Sequence, residues 1–407
     1  MKYHWKRAMA AFLVLALVAA LCLGCAKEKE EGVTITIGHI TDLTGVSAPN
    51  VVPLYYAIQD AAAYYNEEGL IPGAKIKVVP YDMKTDFARD IPGYEWVKER
   101  GAKVIITVLM ESTEADKPFA EKDNIPLAAL GTSVKLLQPP GWAFFFNCPS
   151  AYEMKTLLDW ISEEHWDYDQ GIPKIGMVGW KASYQVECEE ATEEYCQAHS
   201  DQFQWVGGYL APLGVMTWAG EVEAVKNCDY IVGDSLGPSN GTFINEFQTK
   251  GYTATLIGAS AIASCRGFLV DMCGWEALDG TLTTSVCPWW NETSPIVDLA
   301  RTLLDRYRSK EAEVMIHAGS GYLGGFHNAC AILDIVRKAV EEVGAGNFDG
   351  QAFYNAALEF KVDWEGYPEW SFSEIKRYLV DQVRVYEWSA KAAELVGVSG
   401  WLPVVTE

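Results

Sequence analysis

The residues with the most chemistry to offer lie at the ends of two apolar runs. Lys103–Leu109 is mostly apolar and β-branched, the composition of a strand buried in a parallel sheet, and Glu111-Ser112-Thr113 follows it. A helix is expected to start there. Its first amides have no partner within the helix, so hydroxyls can cap them and an anion can settle on them. Ile125–Ala129 returns as a second short strand, and Leu130-Gly131-Thr132-Ser133 follows it. Two neighbouring parallel strands thus bring hydroxyls and free N–H groups to one sheet edge, the edge where open α/β sheets bind ligands. Taken singly, Ser112 or Thr113 is more simply read as an N-cap. Taken together, the two loops suit a carboxylate and need no buried Lys or Arg to hold it.

A second motif offers a nucleophile. Gly237-Pro238-Ser239-Asn240-Gly241 is a literal G-x-S-x-G between a strand and a helix, with Asp271 or Asp298 and then His317 or His327 in the order of a hydrolase triad. Against it, Asp234, Ser235 and Leu236 separate the motif from the strand end, and Pro238 restricts the residue before it. With 35 glycines, chance matches are expected, so a serine hydrolase built on Ser239 ranks far behind a binding function. No cysteine pair has C-x-x-C spacing and there are only six histidines, so neither a metal site nor a cofactor is expected.

Composition narrows the partners. The chain has 407 residues, 49% hydrophobic and 21% charged, which is long enough for two lobes rather than one core. A net charge of −23 argues against nucleic acid. Residues 1–25 read as a targeting segment: Lys2, Lys6 and Arg7 precede the apolar stretch Ala8–Leu23. The stretch ends in Leu21-Cys22-Leu23-Gly24-Cys25, which resembles a bacterial lipobox with Cys25 as the lipidated residue. Residues 26–32 are then a charged tether, and the protein is expected outside the cytoplasm, held to the membrane by its lipid. Eight further cysteines remain, an even count compatible with disulfides in an exported protein, and their spacing leaves the pairing open.

The elements that must position the two loops alternate strand and helix. Val33–Ile40, Ile76–Tyr81, Lys103–Leu109 and Ile125–Ala129 read as strands, with helical periodicity in Leu54–Asn66 and Phe87–Glu99. This is the signature of βαβ units and a parallel sheet. Phe144–Ser150 reads as an extended crossover, after which the pattern restarts: helix Tyr152–Glu164, strand Ile175–Trp180, a helix through Cys196, and strands at Phe203–Tyr209, Tyr230–Gly233 and Thr255–Gly258. Leu282–Cys287 is read as a return crossing. Ile296–Arg308 and Tyr322–Glu342 are strong helical stretches, and Phe372–Val385 is strand-like with a turn near Asp381.

The chain resembles the substrate-binding proteins of branched-chain amino acid ABC transporters. The resemblance rests on the order and spacing of Ile37–Gly45, Tyr64–Gly69, Ile76–Asp82, Ser112-Thr113, Asn124–Leu127, Phe144–Ser150 and Ser183-Tyr184. It implies an α/β fold of two doubly wound, Rossmann-like lobes joined by three crossovers, the type I periplasmic binding fold. The lobes are then residues 33–147 with 283–360, and residues 148–282 with 361–407. It implies a non-enzymatic receptor that closes over a small solute and delivers it to permease and ATPase subunits; a sensor feeding a membrane signalling partner is the alternative. The ligand carboxylate maps onto Ser112, Thr113 and Leu130, Gly131, Thr132 and Ser133, and Tyr184 onto an aromatic wall. Tyr55 and Trp180 are further aromatics expected near the cleft. Where amino acid binders of this class carry an acid for the ammonium group, this chain has Ser239, with Asp234 offset nearby. A hydrophobic amino acid and an aromatic or apolar carboxylic acid therefore both stay open as ligands.

Overall fold

The computed structural model describes residues 32–233 and 237–407. Strand β1 (Val33–Thr41) is buried from Ile35 onward and lies inside a five-stranded, all-parallel sheet of order β2-β1-β3-β4-β5. Its partners are β2 (Ala74–Asp82), β3 (Ala102–Thr107), β4 (Leu127–Ala129) and β5 (Ala143–Phe145). Burial on both faces explains why these strands read as continuous β-branched runs. Helix α1 (Ala48–Glu68) follows β1. It begins six residues earlier than the periodicity suggests because Pro49 suits a first helical turn, and it stops at Gly69, whose φ of 65° is the left-handed conformation glycine tolerates. Helices α2 (Asp90–Glu99) and α3 (Met110–Asp123) connect the next strands and share an apolar cluster on one face of the sheet.

The second lobe repeats the logic. Helix α4 (Ser150–Trp160) leads into β6 (Lys174–Trp180), α5 (Ser183–Ala198), β7 (Gln204–Ala211), α6 (Ala219–Val225), β8 (Tyr230–Val232), α7 (Gly237–Thr249), β9 (Thr255–Gly258), α8 (Arg266–Cys273), α9 (Trp275–Leu278) and β10 (Leu282–Ser285). The sheet order is β12-β11-β10-β9-β8-β6-β7, with β6 to β10 parallel and β11 (Gln382–Ser389) and β12 (Glu394–Gly397) added antiparallel; a short β13 (Leu402–Pro403) also pairs with β11. Leu282–Ser285 is therefore a strand of the second sheet, and the return crossing begins at Val286, beyond the expected boundary at 283.

After that crossing, α10 (Pro295–Arg308), α11 (Ala312–Ala318), α12 (Gly321–Val343) and α13 (Gly350–Leu358) follow. Helices α12 and α1 pack together on the face of the first sheet opposite α2 and α3. A buried polar clamp fixes them. Asp60 on α1 accepts Arg308 Nε and Nη2 at 2.7 Å each and the Tyr322 hydroxyl at 3.0 Å. The third crossover runs through Arg377–Leu379, which lies alongside β5 with Phe145 N–H donating to Arg377 O (2.7 Å) and Leu379 N–H to Phe145 O (2.8 Å). The strand-like Phe372–Val385 stretch thus serves two sheets, with Asp381 between them. Among the described residues no helix is long and apolar enough to cross a membrane. Their eight cysteines are all free thiols.

Candidate functional site

Between the lobes lies a cavity of about 330 Å³. In a parallel doubly wound sheet the helices start at the carboxyl edge, so helix N-termini from both lobes converge on it. Residues Ser47, Asn50 and Leu54 come from the start of α1, Leu109–Glu111 from α3, Tyr184 and Gln185 from α5, Ser260 and Ser264 from a 3-10 turn, and Ser320, Gly321 and Gly324 from α12. Much of the remaining wall is apolar, including Val51, Val108, Leu130, Phe145, Leu213 and Val286. The cavity is thus an apolar chamber ringed by helix starts, a combination suited to a small anion with an apolar body.

The α3 start is the focus. Leu109 occupies the cap position in an extended conformation, and no side chain caps the helix. The amides of Met110, Glu111 and Ser112 precede the first helical hydrogen bond, which Thr113 N–H donates to Leu109 O (3.2 Å). Gly131 lies directly against the first of them. A Cβ there would stand 2.3 Å from Val108 O and 3.3 Å from Met110 N, so the two loops can meet only because residue 131 has no side chain.

The structure places the expected site residues in two groups. Leu130, Gly131 and Tyr184 line the cavity. The Tyr184 hydroxyl is buried beside Ala261 without a hydrogen bond of full geometry. The rest are not brought to the cavity. Ser112 is fully buried and donates to Asp90 Oδ1 at 2.7 Å. Thr113 donates to Gly131 O at 2.7 Å and lies 2.7 Å from the Thr107 hydroxyl, so it ties the two loops together from behind. Thr132 is buried with its hydroxyl unpartnered, and Ser133 Oγ accepts the Leu136 N–H at 3.2 Å. Trp180 is buried and donates to Val215 O at 2.5 Å; Tyr55 packs between His39 and Tyr56. The helix begins at Met110, one residue before Glu111. Each residue turns a helix by about 100°, so a small shift of the start re-aims every hydroxyl behind it. Asp234 and Cys25 lie outside the described residues. Ser239 is buried inside α7 and does not line the cavity; of its possible partners the buried His327 is boxed by Trp364, Tyr367 and Trp370, while His317 Nε2 lies 3.0 Å from Asp271 Oδ1 with both side chains exposed.

Several cavity residues carried no motif. Glu153 on α4 is buried and accepts Ser260 N–H (2.8 Å), Ser260 Oγ (3.0 Å) and the Thr284 hydroxyl; burial pushes its carboxyl up to about 7. Glu111 accepts Ser183 N–H across the cleft at 3.2 Å. Glu187 on α5 accepts Val134 N–H from the first lobe at 3.1 Å, so the lobes are latched together on that side. Lys181 is the one cationic side chain lining the cavity among the described residues, and it pairs with none of the acids there. The described residues hold no cluster of three or more metal-type ligands.

The family model for periplasmic binding proteins matches residues 34–393. Among solved structures the chain is similar to a branched-chain amino acid ABC transporter protein from Thermus thermophilus with bound valine, at 17% identity and a TM-score of 0.80, over 91% of this chain and 96% of that one. It is similar to a fatty acid ABC transporter substrate-binding protein from Thermomonospora curvata, at 15% identity and TM-score 0.75 over 91% and 92% of the two chains. It is also similar to a solute-binding protein of Rhodopseudomonas palustris HaA2 in complex with p-hydroxybenzoic acid, at 16% identity and TM-score 0.72 over 91% and 97%. No curated protein matches the sequence significantly. Two doubly wound lobes around one cleft, with a family match spanning nearly all of both, make this chain a member of the periplasmic binding protein family with the type I fold, a binding protein and not an enzyme.

Proposed function

We propose that the protein is a lipid-anchored extracytoplasmic receptor that binds a small carboxylate-bearing solute and presents it to an ABC importer. The observation that carries this reading is the uncapped start of α3, set against Gly131 at the cleft. Three free amides at a helix N-terminus can hold a carboxylate without a buried cation. The apolar wall suits a hydrophobic amino acid or an aromatic or apolar acid. The solutes bound in the similar structures, valine and p-hydroxybenzoic acid, both carry a carboxylate and so support the reading.

Closure of the two lobes supplies the signal to the transporter: ligand contacts from both sides bias the closed state. Glu111–Ser183 and Glu187–Val134 are contacts that opening would break. Cys25 carries the acyl anchor and residues 26–32 the tether. A thermal-shift screen of amino acids and aromatic acids tests the ligand class, because a bound solute stabilises the folded state. A rise in melting temperature restricted to carboxylates is expected. Stabilisation by neutral solutes alone would refute the reading.

A further inference from the structure

The cavity has a polar end that the carboxylate reading leaves unused. Helix α12 presents Gly321, Gly324, Gly325 and Asn328 to it, a spacing of i, i+3, i+4 and i+7 that falls on one helical face. Asn328 lies about two turns, roughly 10 Å, inside the helix start. It is 3% exposed, and its Oδ1 is buried with no hydrogen-bond partner of proper geometry among the described residues. The neighbouring His327 ring is boxed by aromatic side chains, and the Asn328 carboxamide lies near enough for a side-chain hydrogen-bond interaction to raise the ring's proton affinity, short of full hydrogen-bond geometry.

The glycines on this face differ. A Cβ on Gly325 would stand 2.7 Å from Leu54 Cα, so that glycine serves the packing of α1 on α12. A Cβ on Gly324 would meet nothing within 4 Å. Packing does not require a glycine at 324, and glycine weakens a helix interior. What its missing side chain leaves is open room on the face that leads to Asn328. That face belongs to the side of the first sheet opposite α3, so the two polar ends approach the cavity from different directions.

We infer that Asn328 is the ligand's second polar contact. Its Oδ1 accepts a hydrogen bond from a hydroxyl or N–H carried at the end of the solute remote from its carboxylate, and Gly324 leaves room for that end. This rests on the carboxylate reading and narrows it to donor-bearing acids. A donor-less analogue leaves a buried carbonyl unpaired, and sites built this way discriminate strongly against such analogues.

Calorimetric titration of the protein with two shape-matched pairs tests the inference: 4-hydroxybenzoate against 4-methylbenzoate, and threonine against valine. The donor-bearing member of at least one pair is expected to bind tenfold or more tighter. Asn328→Leu is expected to erase that preference by weakening the donor-bearing member alone. The empty variant should melt no lower than the parent, since an unpaired buried oxygen has been removed. Gly324→Leu, which fills the open room, is expected to weaken the preferred acid at least tenfold. Equal binding within both pairs, a preference that survives Asn328→Leu, or no binding of any of the four would overturn the inference. Binding of 4-hydroxybenzamide as tightly as 4-hydroxybenzoate, with the hydroxyl preference intact, would instead sink the carboxylate reading.

Discussion

Two glycines that line the same cavity should respond in opposite ways to the same substitution. At Gly131 a methyl group would lie 2.3 Å from the Val108 carbonyl oxygen, where ordinary contact begins near 3.4 Å. The overlap of about 1 Å is against backbone, so either the Val108–Met110 segment or the Gly131 loop must move. Overpacking of this kind costs about 1–3 kcal/mol. Moving the α3 start also displaces the amides proposed to hold the carboxylate, and charge-assisted hydrogen bonds of that type are worth about 1.5–3 kcal/mol, or at least tenfold in affinity. At Gly324 the methyl group enters open space. There Ala relieves the glycine penalty in a helix interior, a gain of roughly 0.5–1 kcal/mol. Gly131→Ala and Gly324→Ala should therefore differ by roughly 1.5–4 kcal/mol in folding stability. Urea unfolding followed by circular dichroism and tryptophan fluorescence reads the difference. A Gly131→Ala protein that unfolds at the parental midpoint, or a Gly324→Ala protein that unfolds earlier than the parent, would refute the steric reasoning.

Three further outcomes follow from the buried polar groups and thiols. Ser112→Ala removes the hydroxyl that Asp90 accepts and should cost about 1–3 kcal/mol of stability while leaving ligand affinity within about twofold; both come from paired melts and titrations. Asp116 is fully buried without a hydrogen-bond partner, and burial followed by the neighbouring Asp90 pushes its carboxyl up to about 8. Its folded value lies above its unfolded value, so its contribution is fully present below about pH 4 and is lost as pH rises through about 8. Asp116→Asn should flatten that loss by a few kcal/mol between pH 4 and 8, read as urea midpoints against pH; a parallel profile in the variant would contradict it. The eight free thiols of the described residues are buried except Cys273, which is partly exposed with a thiol pushed up to about 11 by burial. Alkylation of the folded protein should label at most Cys273, whereas the unfolded protein should label all eight; fewer than eight labelled after unfolding without reductant would indicate disulfides.

Much of the fold was legible because it is carried by local pattern. The strand at Thr255–Gly258 and the helices at Pro295–Arg308 and Gly321–Val343 follow from β-branched runs and 3.6-residue periodicity to within one residue. Non-local pairings were not legible in that way. Leu282–Ser285 looks like a connection until β9 and β11 flank it, and Arg377–Leu379 is extended only where it bridges to β5. The site was half legible for a related reason. Strand ends locate the cradle, but which side chains face it depends on where the helix starts to within a residue, so Gly131 lines the cavity while Ser112 points at Asp90. Asn328 was missed although a signal existed. Gly321, Gly324 and Gly325 with Asn328 on one helical face mark a helix stripped of side chains on the side it turns to the cleft.

The proposed function depends on a carboxylate held at the start of α3. The most direct test is calorimetry with one solute in two forms, the best-binding acid from the thermal screen and its primary amide, which keeps the body and removes the charge. The acid should bind with at least a hundredfold advantage, and Gly131→Ala should erase most of it. Equal affinity of acid and amide, or an advantage untouched by Gly131→Ala, would contradict the account.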